Sequence, residues 1–116
     1  MSSSRPWKFR IQDMLEAMDL IQDYVQGMTF EQFCSDRKTL NAVERNFIVI
    51  GEAAAQVPRH IRESFPSIPW RDMSDMRNYV VHQYWGVEAQ RIWETIHHEL
   101  PPLIELLKEI LEESSE

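Results

Sequence analysis

The apolar residues of this chain recur in threes and fours, and that spacing constrains its fold more than any other feature. Trp7, Ile11, Met14, Met18, Ile21 and Val25 step by four, three, four, three and four. They form one continuous stripe on a helix of about 20 residues. A second stripe reads Leu40, Val43, Phe47, Ile50, Ala54 and Val57, with Pro58 closing it. A third reads Trp93, Ile96, Leu100, Leu103, Leu107 and Ile110. Stripes of this kind pack helices nearly parallel or antiparallel. No segment alternates with period two for long enough to predict a sheet.

The punctuation agrees. Pro6 suits the first turn of the first helix and Gly27 its stop. Thr29-Phe-Glu-Gln32 has the form of a capping box, which predicts a short helix from Thr29 to about Ser35. Arg59 to Phe65 suggests a helical turn. Ser67-Ile-Pro-Trp70 opens a further helix, with Pro69 at its first position and Asp72 near its positive end, running to about Val81 and stopping before Gly86. Pro101-Pro102 remove two backbone donors, so the last helix is expected to kink or split there. The expected architecture is an all-α bundle of four main helices with short additional ones. The chain of 116 residues fits a single domain, 1–116, with 1–4 and 114–116 frayed.

Composition narrows the function classes. No apolar run approaches the roughly 18 residues that span a membrane, and the polar start lacks signal-peptide character. One cysteine, Cys34, excludes an internal disulfide framework and any cysteine-cluster metal site; it is expected to be a buried small hydrophobe. The cytoplasm is the expected compartment. The net charge of −7 is unfavourable for nucleic acid at first sight. Seven of the carboxylates, however, lie in 92–116 with only Lys108 to balance them, which leaves residues 1–91 near neutrality. Bulk charge speaks to solubility and steering rather than to a site.

The stretch that can carry chemistry is Arg77-Asn-Tyr-Val-Val-His82-Gln-Tyr84. Asn78 and His82 are one turn apart on one helical face. Arg77 and His82 are five apart, roughly 140° around the axis, and converge only if the helix ends near His82. An Arg can fork onto phosphate oxygens, and a His moves protons near neutral pH. The alternative is a surface Arg, a His capping the last carbonyls and a core Tyr.

Arg77-Asn78 followed by His82-Gln-Tyr84 resembles the R-x4-H-x-Y signature of the HepT-like toxins, a branch of the HEPN superfamily of helical domains. Three other blocks resemble the family in the same order: Met28 to Phe33, Ala42 to Ala54, and Phe65 to Trp70. The resemblance implies a metal-independent ribonuclease toxin of a type VII-like pair, acting on RNA as a homodimer without a cofactor. It implies catalytic positions at Arg77 and His82, with Asn78 orienting the His or the scissile phosphate. It also implies an MntA-type nucleotidyltransferase antitoxin as partner, adenylylating Tyr84. The alternative function is a non-catalytic HEPN nucleotide-binding module that merely partners a nucleotidyltransferase.

Other residues have plainer expectations. His97-His98-Glu99 diverge on a helix, so no metal site is expected and a polar patch is. Arg59, His60 and Arg62 could hold an RNA strand but suit a solvated loop better. Gly51 within a helix costs about 1 kcal/mol relative to Ala, which points to a close-packed neighbour there. Glu52 beside it, expected half-buried, either orients Arg77 or pairs with Arg45. Trp70, Trp85 and Trp93 are core anchors or parts of a dimer interface, for which Trp85 and Met76 are the candidates.

Overall fold

The computed structural model describes residues 6–82 and 86–113. All regular structure among them is helical: α1 (Trp7–Val25), α2 (Phe30–Ser35), α3 (Arg37–Ala55), α4 (Arg59–Ser64), α5 (Trp70–His82), α6 (Ala89–Glu94), a π-helical turn (Thr95–Glu99) and α7 (Leu100–Glu113). The expected fraying of 1–4 and 114–116 lies outside the described residues.

Local signals set most of the boundaries. Gly27 ends α1 by taking φ 78°, a conformation costly for any residue with a Cβ. The capping box of α2 is complete. Gln32 N–H donates to the Thr29 hydroxyl at 3.1 Å, and Thr29 N–H donates to the Gln32 side chain at 2.9 Å. Asp36 caps α3, accepting from the Thr39 backbone N–H at 3.0 Å and its hydroxyl at 2.8 Å. These hydrogen bonds hold the Asp36 carboxyl below its ordinary range. Pro69 stands just ahead of α5, and its carbonyl accepts from Met73 N–H.

The core is where the three stripes meet. Ile11, Met14, Met18 and Ile21 of α1 are fully buried with Val43 of α3 and Leu107 of α7. The ring of Trp7, at the start of α1, contacts Phe65, which follows α3 and α4. The beginning of α1 therefore lies beside the end of α3, and the two run antiparallel. Trp93 packs on Phe33 and Phe30, tying α6 to α2. Trp70 is half-buried and its indole N–H donates to the Phe65 carbonyl.

The last helix departs from regularity one turn earlier than the prolines themselves. Helical dihedrals continue from Glu94 through Leu100, where Leu100 N–H donates to the Thr95 carbonyl five residues back. Pro101 and Pro102 cannot donate, and their rings would press on the carbonyls of His97 and His98. Widening the turn that holds those carbonyls accommodates both prolines without a break.

Cys34 is exposed rather than buried. Helix α2 has only six residues and turns Phe33 into the core. The next position, about 100° further round, then faces solvent.

Candidate active site

The site begins with a missing side chain. A Cβ on Gly51 would lie 2.3 Å from the Arg77 Cβ, 2.9 Å from its Cγ and 3.0 Å from the Met73 carbonyl oxygen. Glycine thus lets α5 lie directly against α3. The neighbour anticipated from Gly51 is a helix of the same chain.

This close approach sets Arg77 beside Glu52. Arg77 Nε donates to Glu52 Oε2 at 2.8 Å, and Nη2 lies 2.7 Å from the same oxygen. Arg77 Nη1 donates to Asn78 Oδ1 at 3.0 Å. Of the two partners open to Glu52, the structure selects Arg77 over Arg45. Three of the five guanidinium N–H groups are thereby engaged, leaving one on each terminal nitrogen. Two such donors are what a phosphate accepts from an arginine fork. The pair is more open than expected, with the Glu52 side chain 52% exposed and that of Arg77 33%.

His82 is exposed as the last residue of α5, one turn beyond Asn78. Because α5 stays helical through His82, the separation of roughly 140° from Arg77 is kept. Glu52 also draws the guanidinium toward α3. The structure joins Arg77 to Asn78, whose face of α5 His82 shares one turn further on, and shows no hydrogen bond between Arg77 and His82. Tyr84 and Trp85 lie outside the described residues.

Tyr79 takes part in a way its helical position did not reveal. Its hydroxyl accepts from Glu88 N–H at 2.8 Å, at the entry to α6. The guanidinium of Arg91 lies 4.1 Å over its ring. Tyr79 therefore fastens the end of α5 to the start of α6.

The remaining candidates have structural explanations. Met76 is half-buried against the core and lines a cavity of about 60 Å³ with Met18 and Phe47, which occupies it within the chain. His97 is exposed and its ring lies 4.2 Å from that of Trp93, while His98 is exposed beside it. Among the described residues no group of three or more His, Cys, Asp or Glu side chains is placed to hold a metal ion. Arg59 pairs with Glu63 and stays at the surface with His60, while Arg62 is half-buried and donates to the Val57 carbonyl. No helix among the described residues is long and apolar enough to cross a membrane.

Fold and site together define an all-α bundle that presents an Arg-Asn pair and a His on one helix. The family model described as "Ribonuclease HepT-like" matches residues 14–110, and the chain belongs to this HEPN-type ribonuclease family. Among relatives, "Probable ribonuclease HepT" of Thermococcus cleftensis is 37% identical over 99 residues, covering 85% of this chain and 90% of that one. "Putative RNase MJ1216" of Methanocaldococcus jannaschii is 36% identical over 109 residues, covering 94% and 90%. "Putative RNase TTE0752" of Caldanaerobacter subterraneus is 35% identical over 112 residues, covering 97% of each. No solved structure matches the chain.

Proposed function

We propose that this protein is a metal-independent endoribonuclease toxin whose site is completed across a homodimer. The observation that carries this reading is the disposition of α5: Arg77 is braced by Glu52 and Asn78, and His82 is exposed at the end of the same helix without a hydrogen bond to Arg77. Cleavage through the RNA 2′-hydroxyl needs a base at that hydroxyl and an acid at the leaving 5′-oxygen. One chain brings one His in this motif. Two motifs across a twofold axis bring two, so one His accepts a proton while its mate donates one. The paired Arg77 side chains stabilise the charge that develops on the phosphate.

Purified protein is expected to cut RNA in EDTA. Arg77→Ala and His82→Ala each lose that activity while keeping their helical content. Dimers of wild type with His82→Ala hold one His instead of two, so cleavage should fall more steeply than the wild-type fraction as the variant is titrated in. A wild type that cuts no RNA, or a His82→Ala variant that cuts as well, sinks the assignment. Activity that falls only in proportion to the wild-type fraction returns the complete site to one chain.

Regulation belongs to the same reading. A nucleotidyltransferase antitoxin of MntA type adenylylates Tyr84, two residues beyond His82. The attached phosphodiester places negative charge beside Arg77 and repels the RNA backbone. Co-expression with such an enzyme should add AMP mapped by mass to Tyr84 and stop cleavage, whereas Tyr84→Phe escapes both. Inhibition that persists in Tyr84→Phe would mean that the antitoxin acts by binding alone.

A further inference from the structure

Tyr79 makes two contacts at once near the end of α5. Its hydroxyl accepts from Glu88 N–H at 2.8 Å, and the Arg91 guanidinium carbon lies 4.1 Å from its ring centroid. Glu88 stands just ahead of α6, a helix with no side-chain cap of its own. The Tyr79 oxygen supplies the acceptor that this backbone donor would otherwise lack. Arg91 lies one turn further on, within α6. One side chain of α5 therefore grips both the opening backbone and the first turn of α6. Helix α6 is itself firmly seated, because Ile92 is completely buried and Trp93 packs on Phe30 and Phe33.

The position of this grip along α5 bears on the chemistry. At about 100° per residue, His82 falls roughly 40° from Asn78 and roughly 60° from Tyr79, between the two around the axis. Asn78 is held to α3 through Arg77 and Glu52. Tyr79 is held to α6. The turn that carries His82 is thus tied on both flanks, to a different helix on each. Val80 is the last buried residue of α5; Val81 is half-buried and His82 exposed. Helix ends fray where packing stops, so the two ties are what keep this turn in place.

Arg91 has a second conceivable use, as a contact for the RNA backbone, and its surroundings decide against it. It shares a cleft of about 290 Å³ with the carboxylates of Asp72, Asp75, Glu94 and Glu99. Four negative charges around one positive charge repel a phosphate. Among the described residues the guanidinium makes no hydrogen bond or ion pair, and its contact is the Tyr79 ring. The carboxylates favour a cation in the cleft, and the ring fixes where it rests. We propose that Tyr79, backed by Arg91, is a positioning residue for RNA cleavage: it touches no substrate and holds the last turn of α5 so that His82 stays aimed. The chemistry assigned to His82 rests on the ribonuclease reading above.

Two substitutions in the full chain test this. Tyr79→Phe keeps the ring under Arg91 and removes the acceptor for Glu88. Arg91→Ala removes the cation and keeps the hydroxyl. Tyr79 is half-buried and Arg91 exposed, so neither change opens the core, and circular dichroism checks this. In Tyr79→Phe kcat should fall by about tenfold with KM for RNA unchanged, because a misaimed group slows the chemical step and not binding. Arg91→Ala should lower kcat by a smaller factor, again at constant KM. In proton NMR the His82 ring signal, assigned by its loss in His82→Ala, should shift and broaden in Tyr79→Phe, while that of His60 on α4 stays in place. An unmoved His82 signal overturns the proposal whether or not RNA is cut. Full kcat in Tyr79→Phe also overturns it, while an inactive His82→Ala leaves the ribonuclease reading standing. A raised KM with kcat intact in Arg91→Ala makes Arg91 an RNA contact and overturns its part in the tie. A wild type that cuts no RNA overturns the ribonuclease reading and the positioning role with it, even where the His82 signal moves.

Discussion

Helices α1 and α5 both lie against α3, yet they are held there by different means. α1 buries Ile11, Met14, Ala17, Met18, Ile21 and Val25, a stripe along its whole length. α5 buries only Met73 and Val80. Its position comes from backbone proximity at Gly51, the ion pair to Glu52 and the Tyr79 tie to α6. Apolar stripes are insensitive to small shifts, whereas a helix set by one glycine and a few polar contacts is placed narrowly. The first arrangement suits stability and the second suits aiming a guanidinium. The surface that α5 withholds from the core carries Asn78 and His82.

The largest effect should come from the stripe. Met18 is completely buried, so Met18→Ala should cost about 2–5 kcal/mol in chemical denaturation through lost burial and the cavity left behind. A cost below about 1 kcal/mol would mean that α1 is not the pillar described. Gly51→Ala comes next and probes the narrow placement of α5. Alanine favours a helix by about 1 kcal/mol over glycine, but the new Cβ meets the Cβ of Arg77, an atom no rotamer can move. Overpacking of about 1–3 kcal/mol should prevail, with α5 displaced and RNA cleavage falling more steeply than stability. A Gly51→Ala protein more stable than wild type and equally active would show that the close approach does not matter.

Much of the bundle was legible because its determinants are local. Pro6, Gly27, the Thr29–Gln32 box and the stepping stripes act within a few residues, and α1, α2 and α3 appear where they point. The features that escaped depend on what distant segments bring together. Gly51 announced a close neighbour, but only the packed α5 decides that Glu52 takes Arg77 and not Arg45. Tyr79 looked like one more helical aromatic, since no local pattern reveals a hydroxyl aimed at Glu88. Cys34 was placed inside on the habits of cysteine, where the periodicity of α2 around Phe33 points it outward. Pro101-Pro102 located the irregularity of the last helix to within a turn. The strain falls upstream because the ring of a proline acts on the carbonyl four residues before it.

Glu52→Gln separates aim from anchorage. The pair is largely solvent-exposed, and exposed ion pairs contribute about 0–1 kcal/mol, so the melting temperature should hardly move. The amide keeps one acceptor oxygen for Arg77 but loses the charge that fixes the guanidinium. Cleavage at saturating RNA should fall by about tenfold, the equivalent of about 1.4 kcal/mol in transition-state stabilisation. Glu52→Asp, which keeps the charge on a shorter arm, should recover part of it. Equal activity in all three proteins would reduce Glu52 to a surface partner.

The smallest effect lies away from α5, at the cap of α3. Thr39 donates twice to the Asp36 carboxyl and holds its pKa below the ordinary 3.8. A carboxyl whose folded value is lowered stabilises the fold above its unfolded value, and this contribution is lost as pH falls through the folded one. Asp36→Asn keeps a capping oxygen and removes the titration. Wild type should therefore melt slightly higher than Asp36→Asn at neutral pH, with the gap closing as pH falls from about 5 to below the ordinary value. Glu44, whose carboxyl pKa is raised by burial, works in the opposite direction but is present in both proteins and cancels from the difference. A gap that widens in acid would show that the Asp36 charge opposes the α3 terminus. A gap that closes leaves the cap independent of the site, as expected for a helix held mainly by its stripe.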